Sequence, residues 1–144
     1  MISKNKKSIL EDFCNEINKM IKMLLEEYCK ERSVIFEQTS ELERQILAVY
    51  AFGMAEGVRQ TEYFSLNIMQ VESGIIGMLN SVFQYSIGQA QDFTHIMITN
   101  LKSKDPENTY YAIIHRGLDG YYLWKDEKKK TVINDIVQII NVLQ

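Results

Sequence analysis

The chain has 144 residues, 46% of them apolar and 24% charged, with a formal charge of −3 and a pI near 5.4. A domain of that size buries about 70% of its unfolded surface, enough for a sizeable core. The acidic balance argues against a nucleic-acid binder that works by phosphate neutralisation. The longest apolar run, Ile46–Ala55, is too short to cross a bilayer.

Residues 8–32 place Ile9, Leu10, Phe13, Ile17, Met20, Ile21, Leu24, Leu25 and Tyr28 at three- and four-residue steps, which predicts an amphipathic helix with a solvated Lys/Glu face. Cys14 and Cys29 would lie on it roughly 22 Å apart, beyond disulfide reach. The N-terminus lacks the apolar run of a signal peptide, so the cysteines point to a reducing, cytoplasmic setting.

Ser40 with Glu43 has capping-box spacing and starts a second helix, running to about Gln60. A third is expected from after Ser65 to about Phe83. A fourth follows Ser86, whose Gln89 repeats the capping-box spacing, and reaches about Leu101. Asp105 then caps a fifth helix with Pro106 in its first position, where a missing N–H costs nothing. The last helix, about 127–143, presents Val132, Ile133, Ile136, Val137, Ile140 and Leu143 to the core. No repeat or linker divides the chain, and nothing in it specifies an oligomeric state. The expected fold is all-α: one domain, 1–144, a bundle of about six helices.

The densest polar-aromatic window, Tyr110–Trp124, lies in the fifth helix. TYYAIIH and GYYLW around RGLD would also suit a β-hairpin, because tyrosine and isoleucine favour strands and Asp-Gly favours a turn. The helical spacing of Tyr111, Ile114, Leu118, Tyr121 and Lys125 decides for the helix.

Six of the seven glycines form three pairs at helical spacing: Gly53/Gly57, Gly74/Gly77 and Gly117/Gly120. Glycine inside a helix costs about 1 kcal/mol relative to alanine, so six such positions imply a compensating gain: close approach of helix axes or room for a bulky neighbour such as a tyrosine ring, with an opened ligand pocket as the alternative. The second, third and fifth helices are expected to form that tightly packed centre.

Charge is unevenly spread. Residues 34–101 hold seven acids against two arginines, with no Lys or Arg from Gln60 to Leu101. If acids such as Glu56, Glu62, Glu72 and Asp92 share a face, they attract a basic partner; alternatively, a core-rich segment simply carries few charges.

His115 and Asp119, four apart on the fifth helix with Tyr122 on the same face, have the spacing of an imidazole oriented by an acid; Arg116 and Asp119 have that of an ion pair. No Ser or Cys nucleophile accompanies them. Asp92 and His95, with Glu72 and the His115/Asp119 pair, outline a possible metal site between helices, but no Glu-x-x-His pair is present. Phosphate-binding glycine loops are also missing. No catalytic residue, metal or cofactor is therefore assigned.

The run IIHRGLDGYYLW at 113–124, with LAVYAFGMAEG at 47–57 upstream, resembles an all-helical immunity family, group forty-eight of bacterial polymorphic toxin systems. The similarity covers residues of about 40–143, and the N-terminal helix adds no recognisable motif. The resemblance implies a cytoplasmic protein, not an enzyme, that binds a cognate toxin protein and blocks it stoichiometrically, without a cofactor, nucleic acid or membrane. The family motif falls on His115, Arg116, Gly117, Asp119, Gly120 and Tyr121. Its glycines are expected to support the fold and some polar members to contact the partner. The acids named above, with Tyr121 and Tyr122, would supply an occluding surface. A helical adaptor with another partner, or a metal-dependent enzyme, are the alternative readings.

Overall fold

The computed structural model describes residues 6–144. Six helices follow one another: α1 (Lys6–Arg32), α2 (Glu41–Glu62), α3 (Ile68–Val82), α4 (Ile87–Ser103), α5 (Thr109–Lys125) and α6 (Lys129–Leu143). A 3₁₀ turn, Phe36–Gln38, joins α1 to α2. No strand occurs among the described residues, and the stretch that could have been a hairpin is the single helix α5.

The element at the centre is α2. Every residue from Ile46 to Val58 is buried. A helix buried all round needs neighbours on every side, and α5, α6, α1 and α3 supply them. Ala48, Ala51, Gly53, Ala55 and Gly57 keep its surface thin, so that these neighbours can approach together. One hydrophobic core draws on all six helices, from Phe13 and Ile17 to Trp124 and Ile136.

The closest approach is between α2 and α5. A Cβ on Gly53 would stand 2.1 Å from the Ile114 carbonyl oxygen, and one on Gly117 would stand 2.2 Å from that of Tyr50. Two further glycines serve as notches for tyrosines of the opposite helix. Tyr121 lies against Gly57 and Tyr50 against Gly120. The third glycine pair does not join this centre, because α3 packs on α1 and α4. Gly74 admits the Cys14 sulfur, whereas Gly77 faces open space. The expected three-helix centre is thus a two-helix contact.

Helix starts follow local hydrogen bonding. Ser40/Glu43 and Ser86/Gln89 are capping boxes as expected, and Asn67/Gln70 is a third, opening α3 two residues later than its predicted start. The start of α5 differs from expectation. Asn108 is its cap, accepting from the Tyr111 N–H, while Asp105–Asn108 form a turn in which Asp105 accepts from Glu107. An Asp-Pro pair suits a turn as well as a helix start, and Asn108 competes for the cap. Four helices are followed by a non-glycine residue in the left-handed region: Ser33, Gln84, Lys104 and Glu127.

The link between α1 and α2 is polar. The Tyr28 hydroxyl donates to Glu43 Oε2 at 2.5 Å, and Glu43 Oε1 accepts from the Ser40 N–H at 3.0 Å. Burial pushes the Glu43 carboxyl up, but the hydrogen bonds from Tyr28 and Ser40 outweigh it and hold the group below its ordinary value near 4.5.

Two expectations follow for urea unfolding. Gly53→Ala should lose more than about 3 kcal/mol, since backbone rather than a flexible side chain blocks the new methyl. Gly77→Ala, in open solvent, should gain about 0.5–1 kcal/mol. Because the folded Glu43 carboxyl is depressed, its contribution is present above its ordinary value and is lost as pH falls through the folded one. Tyr28→Phe should therefore show a shallower loss of stability in an acid titration than the parent chain.

Candidate functional site

The HRGLDGY run winds around α5, and the helix period divides it. Gly117, Gly120 and Tyr121 face the core with Ile113, Ile114 and Trp124, whereas His115, Arg116, Asp119 and Tyr122 face outward. The inward members set the α2–α5 distance. Tyr121 also donates its hydroxyl to Glu62 Oε2 at 3.0 Å, and Lys125 Nζ donates to Glu62 Oε1 at 3.0 Å. Burial, and then the Glu62 carboxylate, raise the Tyr121 phenol above its ordinary pKa. The neighbouring Glu16 carboxyl lowers that of Glu62, with Lys125 and Tyr121 adding to the effect against burial.

Arg116 does not pair with Asp119 as its spacing suggested. It reaches across to α6, where Nη2 meets Asp135 Oδ1 and Nε donates to Oδ2 at 3.3 Å. This two-pronged bond raises the guanidinium pKa further and ties α5 to α6. Beneath it, the Tyr50 hydroxyl is buried near Asp135, and burial followed by that carboxylate raises its pKa. Tyr50 and Asp135 carry no mark in sequence. One sits in an apolar run and the other on the polar face of an amphipathic helix, and only the helix crossing brings them to the motif.

His115 and Asp119 are both exposed and make no hydrogen bond to each other among the described residues. The His115 ring instead lies edge-on to Tyr111, with centroids 5.0 Å apart. The geometry therefore lacks an acid-oriented imidazole for proton transfer. His95 on α4 meets Glu72 on α3, Nε2 to Oε1 at 3.3 Å. Among the described residues no three His, Cys, Asp or Glu side chains converge as a metal would need.

The other acids fare differently. Glu56 is 2% exposed, so it is not a surface group as its charge suggested. Its Oε1 accepts from Arg59 Nε at 2.8 Å and Gln60 Nε2 at 3.1 Å, while Oε2 has no partner. Charge on a wholly buried segment has to be paired internally, and Arg59, one turn on, does this. Glu72 is partly buried, and Asp92 is exposed without an ion pair among the described residues. Tyr122 is half exposed, its hydroxyl 3.4 Å from Thr61 Oγ1. The groups left on the surface are thus His115, Asp119, Tyr122 and Asp92, with Arg116, Glu62 and Glu72 engaged within the chain.

The model of the family described as immunity protein 48 matches residues 13–144. The chain belongs to that family, which carries a toxin-neutralising role. The match takes in most of α1, so the N-terminal helix is part of the family's fold rather than an addition, as its core residues Phe13 and Tyr28 require. No curated protein and no solved structure matches the chain. Among the described residues no helix is long and apolar enough to cross a membrane.

The division of the motif predicts two classes of variant in thermal and urea melts. His115→Ala and Asp119→Ala should stay within about 0.5 kcal/mol of the parent. Gly120→Ala, whose methyl would collide with the buried Tyr50 hydroxyl at 2.1 Å, should lose at least ~2 kcal/mol. Arg116→Ala should fall between them, at about 1 kcal/mol or less, because its ion pair is half solvated.

Proposed function

We propose that this chain, a member of the immunity protein 48 family, neutralises a cognate toxin protein by binding it one-to-one and covering its active site or exit channel. No turnover and no cofactor enter this mechanism. The match over residues 13–144 carries the reading.

The surface supports it in three ways. Outward groups sit on packed helices, which lowers the ordering cost of binding. The span from Gln60 to Leu101 has no Lys or Arg, and on α4 it exposes Asp92, which makes no ion pair among the described residues. A basic toxin surface would be drawn to such a face, and opposite charge speeds encounter. Tyr122, half exposed beside the motif, is of the type that anchors interfaces.

Co-expression with the product of the adjoining gene, tested for toxicity on its own, tests the proposal. Growth should be restored by the full chain, and the purified pair should elute as a one-to-one complex. Association should slow as salt is raised. Failure to rescue together with failure to bind would assign the chain to another partner. Substrate turnover by the chain alone would refute stoichiometric occlusion.

A further inference from the structure

α2 and α4 hardly touch each other. Between the start of α2 and the outer side of α4 the chain leaves an open cleft of about 480 Å³. Its apolar walls are Tyr85, Phe93 and Ile96, and Ile96 is 48% exposed although it is a large hydrophobic side chain. Glu41 and Asp92 also line it, both exposed and neither with an ion pair among the described residues. Arg44, the one Lys or Arg there, keeps its charge, but its guanidinium is turned to the carbonyl and hydroxyl oxygens of Thr39.

We infer that this cleft receives a basic side chain, lysine or arginine, from the toxin, with its aliphatic stem on Tyr85, Phe93 and Ile96 and its cation between Glu41 and Asp92. The inference rests on the neutralisation reading and adds where and how the partner is gripped. Three properties favour this occupant. Lysine and arginine have an apolar stem and a charged head, and the cleft has walls of both kinds. An aromatic-lined slot attracts a cation through the ring faces as well as through the acids. Two carboxylates against one internally engaged guanidinium leave a net negative site, which an acidic or neutral peptide would not complement. The cleft lies apart from the HRGLDG motif, so conservative changes at its rim need not disturb the α2–α5 contact.

The experiment uses the full chain and the catalytically silenced toxin cloned from the adjoining gene, with binding followed by biolayer interferometry. Asp92→Lys should slow association by roughly tenfold or more, and Asp92→Asn by less. Ile96→Ala should speed dissociation with little change in the association rate. Glu107→Lys, the same charge change on the turn before α5, should stay within about twofold of the parent. Melting curves establish that each variant is folded, and Asp92→Asn, at an exposed position, covers a failure of the charge-reversed form. If the parent binds and both Asp92→Asn and Ile96→Ala bind like it, the cleft is not the seat, while toxin neutralisation stands. If the parent itself neither binds nor protects, the neutralisation reading falls and this one with it.

Discussion

Two helix backbones meet at Gly53 and Gly117 with no side chain between them, and the rest of the architecture depends on that contact. A methyl on either residue would enter the other helix's carbonyl oxygen. Holding α2 and α5 so close creates the notches at Gly57 and Gly120, and each accepts a tyrosine from across the interface. The arrangement is reciprocal: α2 gives Tyr50 and takes Tyr121. Ring packing of this kind offsets the roughly 1 kcal/mol that each glycine costs inside a helix. It also fixes rotation as well as distance, because both rings must find their notches at once.

That fixed rotation gives the HRGLDGY run its two functions in the structure. With Gly117, Gly120 and Tyr121 turned inward, the helix period leaves His115, Asp119 and Tyr122 facing out. Arg116 lies at the boundary and reaches α6 through Asp135. The motif is therefore mainly a joint between three helices, and its outward residues are presented by that joint. This physical account covers the glycines, the arginine and the inner tyrosine. Only the remaining polar groups are free to meet a partner.

What was legible in the sequence was whatever is encoded within one helix. The Ser40/Glu43 and Ser86/Gln89 caps, the amphipathic spacing of α1 and α6, and the helical period through Tyr111–Lys125 are all local patterns. Misreadings arose where a feature depends on another element. Gly74 and Gly77 have the same three-residue spacing as Gly117 and Gly120, yet one meets Cys14 and the other meets solvent. Arg116 had a partner at helical spacing in Asp119 and chose Asp135, nineteen residues away. Helix ends were hidden for a different reason: every glycine lies inside a helix, and Ser33, Gln84, Lys104 and Glu127 take the left-handed positions that glycine usually signals. Glu56 carries a formal charge that suggests exposure, yet it is buried, with its partner Arg59 one turn away.

Glu56 and Arg59 cancel each other inside the fold, so the excess of acids over arginines in residues 34–101 falls on the other side chains. Arg44 and Arg59 are the only cations between residues 34 and 101. Arg59 is drawn in by the buried Glu56 and by the Leu66 carbonyl, and Arg44 is held at Thr39. Both side chains are therefore committed to fold stability, where removing either partner would strand a polar group. Asp92 is left without an ion pair among the described residues, and Glu41 shares its surroundings with Arg44. Desolvating such groups against an uncharged partner would be costly, while a cationic partner compensates them. Asp92 therefore stands on a packed helix beside the exposed Ile96, so that charge and apolar area lie together on this side of α4.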